Sequence, residues 1–225
     1  MPIKQEPIKK TKNTDKEFIA QIVLVAVLAL LLVYNIGKMS IGANQTSGTS
    51  GITSISGSEI IPTGVPKIYG KELGVSYSDV SPNTPSKADT TIGILGNLDN
   101  SITLSGADLQ RYIKIGSQIS CEYCCGAESI IFSNGQAACG CAHSYAMRGL
   151  AKYLIKNHGT EFSDDEILEE LGKWKVLFFP GIHQTKAAVL KSKGIEINYI
   201  NLASNKYRGI EQGATSGGGG MVGGC

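Results

Sequence analysis

The 225-residue chain is poor in histidine, tryptophan and charge: three His, one Trp, 7% aromatics and 18% charged residues. Three His leave little room for a His-rich metal site or for several His-based catalysts. A formal charge of +2 lacks the basic excess of a nucleic-acid binder, which usually carries a basic face or stripe. No Ser–His–Asp spacing, phosphate-binding loop, paired-carboxylate pattern or internal repeat stands out. What the chain does have is 28 Gly and 6 Cys, unevenly placed. High Gly with low charge describes a chain of mixed parts.

The parts follow in order. Residues 1–17 form a basic stub with five Lys (4, 9, 10, 12 and 16) against Glu6, Asp15 and Glu17, which leaves the remainder neutral. Phe18–Ile36 holds no charged residue. As a helix these residues would rise about 28 Å, close to the roughly 30 Å of a bilayer core. They are therefore expected to be a transmembrane helix, an uncleaved signal-anchor in the lipid bilayer, because a cleavable signal core runs only about 7–15 residues. Lysines before the span and only Lys38 close behind it predict a cytoplasmic amino terminus and an extracytoplasmic main domain. Asn44-Gln45-Thr46 is a glycosylation sequon on that outer side. Residues 37–58 read as a Gly/Ser/Thr-rich tether, 59–212 as a globular domain and 213–225 as a Gly-rich tail ending in Cys225.

Within the domain, residues 59–82 read as extended chain punctuated by Pro62, Pro66 and Pro82. Thr84-Pro85 suits a helix start, Ser105–Asp108 resembles a capping box, and Ser163-Asp164-Asp165-Glu166 is a stronger one. Met147, Leu150, Ala151, Leu154 and Ile155 fit the helical template of apolar positions. Residues 128–141 read as a hairpin turning at Ser133-Asn134-Gly135, a short helix is expected near 185–193, and Ile195–Ile200 reads as a strand. The expected class is α+β: a mainly helical domain whose small β-hairpin carries a Cys/His cluster.

That cluster is Cys121, Cys124, Cys125, Cys139, Cys141 and His143, in the pattern C-x2-C-C-x13-C-x-C-x-H. C-x2-C at a tight turn aims two sulfurs at one point. C-x-C-x-H on a strand puts three side chains on one face. A helix starting near His143 would present its positive end and lower the thiol pKa values, favouring metal-binding thiolates. The spacing therefore points to a soft metal ion, zinc or copper; an iron–sulfur cluster suits an oxidising exterior less well. A metal donor or acceptor protein is the corresponding partner, and no nucleic acid is expected. Two alternatives stand beside this reading: a zinc- or disulfide-stapled cell-surface interaction module, and a thiol–disulfide oxidoreductase using Cys124 and Cys121. Met147 falls on the apolar stripe, Arg148, Lys152 and Lys156 read as a solvated helix face, His158 as a helix cap, and Cys225 as a free thiol or a mobile ligand.

The segment Ile119-Ser120-Cys121-Glu122-Tyr123-Cys124-Cys125-Gly126, with Ala138-Cys139-Gly140-Cys141-Ala142-His143-Ser144-Tyr145-Ala146-Met147-Arg148-Gly149-Leu150, resembles an uncharacterised group of membrane-anchored archaeal-type proteins. The resemblance spans roughly residues 60–180 and implies no established activity. Cys139-Gly140-Cys141 is also loosely similar to the core of PCYCGC-motif proteins, although Gln136 and Ala137 stand where that motif has Pro and its first Cys.

Overall fold

The computed structural model describes residues 19–27, 56–214 and 220–224. The chain divides into two compact units, Met1–Ser50 and Gly51–Cys225. In the first, residues 19–27 are helical, a length of about 14 Å. Among the described residues no helix is long and apolar enough to cross a membrane, so the expected transmembrane helix over 18–36 is not seen. Residues 18 and 28–36 of that segment lie outside the described residues.

The second unit is helical. Its elements are α1 (Gly70–Leu73), α2 (Pro85–Ser101), α3 (Gly106–Gly116), α4 (Ala142–His158), α5 (Asp164–Phe178), α6 (Pro180–Ser192) and α7 (Tyr199–Ala203), with three short 3-10 turns. The described residues contain no strand, only the isolated bridges Ile119–Ser204 and Ile131–Ala137. The α+β expectation with its β-hairpin is corrected accordingly. The turn at 133–135 does form, with Phe132 N–H donating to the Gln136 carbonyl at 2.7 Å, but no ladder grows from it. One further cross-turn bond follows, from Ala138 N–H to the Ile130 carbonyl at 3.2 Å, but that carbonyl also accepts from Arg148 at 3.2 Å, and Ile130 N–H donates away from the turn to the Ile119 carbonyl at 2.9 Å. A backbone whose next donor is committed to another segment cannot extend the ladder. The expected strand at 195–200 gives way to α7, which Asn198 caps by accepting from Asn201 N–H at 2.8 Å. The stretch 59–82, expected to be extended, instead winds into α1 and the 3-10 turn Tyr77–Asp79, just after another 3-10 turn at Gly57–Glu59.

Three helix starts follow from local chemistry. Pro85 sits in the first turn of α2 and Pro180 in that of α6, where a missing N–H costs nothing. Ser163 and Glu166 complete a reciprocal capping box on α5. The core lies between α2, α4 and α5: Leu95, Met147, Leu150, Leu154, Leu171 and Trp174 are fully buried. Trp174 Nε1–H donates to Tyr69 Oη at 2.8 Å, and Tyr69 and Tyr77 both donate to Glu170 at 2.7 and 2.5 Å. Those bonds fix the 59–82 segment against α5.

Helices α2 and α4 approach very closely at Gly149. A Cβ there would press on the Leu95 carbonyl and come 2.9 Å from the Asp99 backbone nitrogen. Gly149→Ala should therefore cost about 2–3 kcal/mol in urea unfolding, as overpacking does. Gly93, also on α2, has nothing within 4 Å of its Cβ direction. Gly93→Ala should instead gain about 0.5–1 kcal/mol from helix propensity. Equal effects at the two sites would contradict the packing.

At the far end of α4, His158 Nδ1 lies 2.7 Å from Glu161 and Nε2 3.1 Å from Glu72. Burial opposes the imidazolium charge, but the two carboxylates outweigh it and raise the His158 pKa. A raised folded pKa stabilises fully below the unfolded value of about 6.5 and loses that contribution as pH rises through the folded value. Unfolding midpoints should fall across that window in the wild type and stay level in a Glu72→Gln, Glu161→Gln double variant. An unchanged slope in the variant would exclude His158 as the source.

Candidate metal centre

The cysteine loop runs from the end of α3 to the start of α4. Cys121, Cys139 and Cys141 are buried, and Cys125 is exposed. Two sets of three sulfurs each fall within 4.8 Å of one another: Cys121, Cys124 and Cys141, and Cys125, Cys139 and Cys141. Each set could hold a metal ion. Cys141 belongs to both.

In this structure Cys125 and Cys139 form a disulfide, and Cys124 is likewise disulfide-bonded. Cys121 and Cys141 are free thiols, 3.2 Å apart and hydrogen-bonded to each other. Once one of two buried thiols so close ionises, the pair shares the remaining proton. Cys141 is the one that keeps the charge, because it is the N-cap of the 17-residue α4 and accepts from Ser144 N–H at 3.4 Å. The hydrogen bond with Cys121, supported by His143 and Ser144, holds its pKa well below the usual thiol range against the opposing effect of burial. Cys121 is pushed up by the same bond and by burial.

His143 is buried and belongs to neither sulfur set. Its ring packs 4.7 Å from Phe178 and 5.0 Å from Phe179, and Nε2 lies 2.8 Å from the Val222 carbonyl. Val222, in the Gly-rich tail, is 3% exposed, and its N–H donates to the Phe178 carbonyl at 2.8 Å. Gly223 follows at φ +83, and a Cβ there would collide with Ile92. The tail at 220–224 is therefore seated on the domain over His143. Cys225 lies outside the described residues.

Two arginines hold the loop in place. Arg148 is buried on α4, not on a solvated face as its spacing with Lys152 and Lys156 suggests. Its Nε donates to Asp99 at 2.7 Å, and one terminal nitrogen donates to the carbonyls of Cys139 at 2.8 Å and Ile130 at 3.2 Å. Arg208 donates to the carbonyls of Ala127 at 3.0 Å and Gly126 at 2.9 Å. Asn205 adds its amide to the Glu128 carbonyl at 2.8 Å. The loop carries little regular structure, so side chains from α4 and the 205–208 segment supply the partners a ladder would have supplied.

Beneath Cys121 lies a buried charged layer that sequence reasoning missed. Glu122, at φ 38, accepts from Lys175 Nζ at 3.1 Å and from Gly209 N–H at 2.8 Å. Lys186 sits 4.0 Å from Glu122 and 3.9 Å from Glu211. Burial pushes the Lys175 pKa down to about 8 and also lowers that of Lys186. Glu122 is lowered, since Lys175 and Lys186 outweigh its burial. Lys175 lies on the face of α5 shared with Leu168 and Leu171, a place where a lone Lys in an apolar stripe is the available sequence signal.

No known family model matches the chain, and no curated protein or solved structure is significantly similar to it. The chemistry therefore rests on the residues themselves.

One thiolate per chain should be visible in the ultraviolet spectrum of the metal-free protein, titrating well below the ordinary thiol value of about 8.5. Cys141→Ser should abolish it, and Cys121→Ala should raise its pKa by removing the principal hydrogen bond. Because the folded pKa is depressed, this thiolate stabilises the fold above the unfolded pKa, and the contribution is lost as pH falls. A wild-type titration near about 8.5 would contradict the geometry.

Proposed function

We propose that the protein, in its reduced form, holds a soft metal ion on cysteine sulfur, with Cu(I) preferred to zinc. The observation that carries this reading is the convergence of two three-sulfur sets on Cys141. Thiolate ligands select soft ions. Zinc in a closed protein site is almost always four-coordinate, whereas each set offers three sulfurs, and three thiolates suit Cu(I). His143, the nearest imidazole in sequence, has its Nε2 against the Val222 carbonyl and its ring between two phenylalanines. The low Cys141 pKa reduces the proton competition that metal binding must overcome. Cys125, exposed at the edge of the site beside Cys124, is the point at which another thiol could take an ion up or hand it on. An extracytoplasmic setting accords with the disulfides, which persist in oxidising compartments.

A second reading, thiol–disulfide exchange, has one observation in its favour: the Cys141 sulfur lies within 4.8 Å of both sulfurs of the Cys125–Cys139 disulfide. Attack by the Cys141 thiolate on either would form a mixed disulfide and release the other as a thiolate, with no net oxidation.

The reduced full chain, titrated anaerobically with Cu(I) against a chromogenic chelator, should take up at least one ion per chain and prefer Cu(I) to zinc. Cys141→Ser keeps a good helix N-cap and so preserves the fold. Its Cu(I) affinity should nevertheless drop by more than about 100-fold, the upper end of what outer partners alone cost. Unchanged affinity in that variant, or tight zinc with no Cu(I), would overturn the proposal.

A further inference from the structure

The two sulfur sets share a member, and that sharing has a consequence for stoichiometry. We infer that the fully reduced chain binds two soft metal ions as one cluster, with Cys141 as the bridging sulfur. This rests on the soft-metal reading above and specifies its site.

The five described sulfurs divide without remainder. One ion takes Cys121, Cys124 and Cys141; the other takes Cys125, Cys139 and Cys141. Each ion then has three sulfurs, the number that suits Cu(I), and only Cys141 is used twice. A thiolate has lone pairs enough to bridge, and Cys141 is the sulfur best supplied with positive field, at the amino end of α4 and against the Ser144 N–H. Five thiolates around two monovalent ions leave a net negative cluster, which needs buried positive charge nearby. Two such charges are present. Arg148 donates to the Cys139 carbonyl at 2.8 Å and keeps one buried terminal nitrogen with no hydrogen-bond partner among the described residues. Lys175, fully buried, acts electrostatically on Cys121. An unpaired guanidinium N–H in the interior is costly unless something negative takes it.

The oxidation state of the loop then sets capacity. With Cys125–Cys139 and Cys124 oxidised, only Cys121 and Cys141 remain as thiols among the described residues, too few for either three-sulfur site. Reduction by a phosphine opens each disulfide: two electrons and two protons go to the sulfurs, and the phosphine leaves as its oxide with oxygen from water. Each Cu(I) that binds then displaces thiol protons to solvent.

The test is native mass spectrometry of the full chain, reduced with a phosphine that is removed without air and then loaded with Cu(I) under chelator competition. The wild type should carry two ions. A Cys125→Ser, Cys139→Ser double variant should carry one. Cys141→Ser should carry none at the chelator concentration that leaves the wild type with two, because the bridge serves both. One ion on the reduced wild type would overturn the cluster and leave the soft-metal reading standing. Two ions on the double variant, or one retained by Cys141→Ser, would also overturn it, since the sites would then be independent. No ion on any form would remove the soft-metal reading itself.

Discussion

The structure depends on one buried guanidinium. Arg148 joins three parts through one side chain: α2 through Asp99, and both arms of the cysteine loop through the carbonyls of Ile130 and Cys139. Asp99 also takes Lys152 at 2.7 Å, so a single carboxylate receives two cations from α4. Removing one partner of such a buried pair is strongly destabilising because it leaves the other charge uncompensated. The same contact explains how a loop almost without regular structure keeps five sulfurs in one place. The chain has three arginines against eighteen lysines, and each arginine donates to two main-chain carbonyls. A planar fork of five donors is suited to that task where an ammonium is not.

The thiol chemistry follows from where that clamp leaves Cys141. Placed at the N-cap of α4, the sulfur accepts from Ser144 N–H and lies against Cys121. A helix start, a neighbouring thiol and the absence of bulk water all act on one atom. The charged layer of Glu122, Lys175, Lys186 and Glu211 begins next to Cys121, on whose sulfur Lys175 acts electrostatically, and Gly209 N–H anchors it, so the site is backed by residues distant in the sequence.

Local signals in the sequence carried most of the helices. The spacing of Met147, Leu150, Ala151, Leu154 and Ile155 marks α4, Pro85 and Thr84 mark the start of α2, and Ser163 with Glu166 marks α5. The cysteines were legible as a group because five of them crowd into 21 residues. What was not legible depends on residues far apart in the chain. The turn at 133–135 carries a good hairpin signature, yet beyond one bond from Ala138 N–H the Ile130 backbone is drawn to Ile119 and Arg148, and no ladder extends. Arg148 shares a spacing with Lys152 and Lys156 that suggests a wet face, and only the position of Asp99, 49 residues away, shows that it is buried. His143 stands two residues after Cys141, but packing between Phe178, Phe179 and the returning tail sets what its ring touches. An expected apolar span at 18–36 is represented by helix only at 19–27 among the described residues.

The central claim is that sulfur alone forms the metal site and that the imidazole two residues on, with Nε2 against the Val222 carbonyl, supports Cys141 by a hydrogen bond without joining the ligands. Copper-edge X-ray absorption on the reduced, Cu(I)-loaded full chain addresses it directly. The account predicts a first shell of three sulfurs with no nitrogen, unchanged by His143→Gln. A nitrogen ligand that disappears in that variant would contradict it.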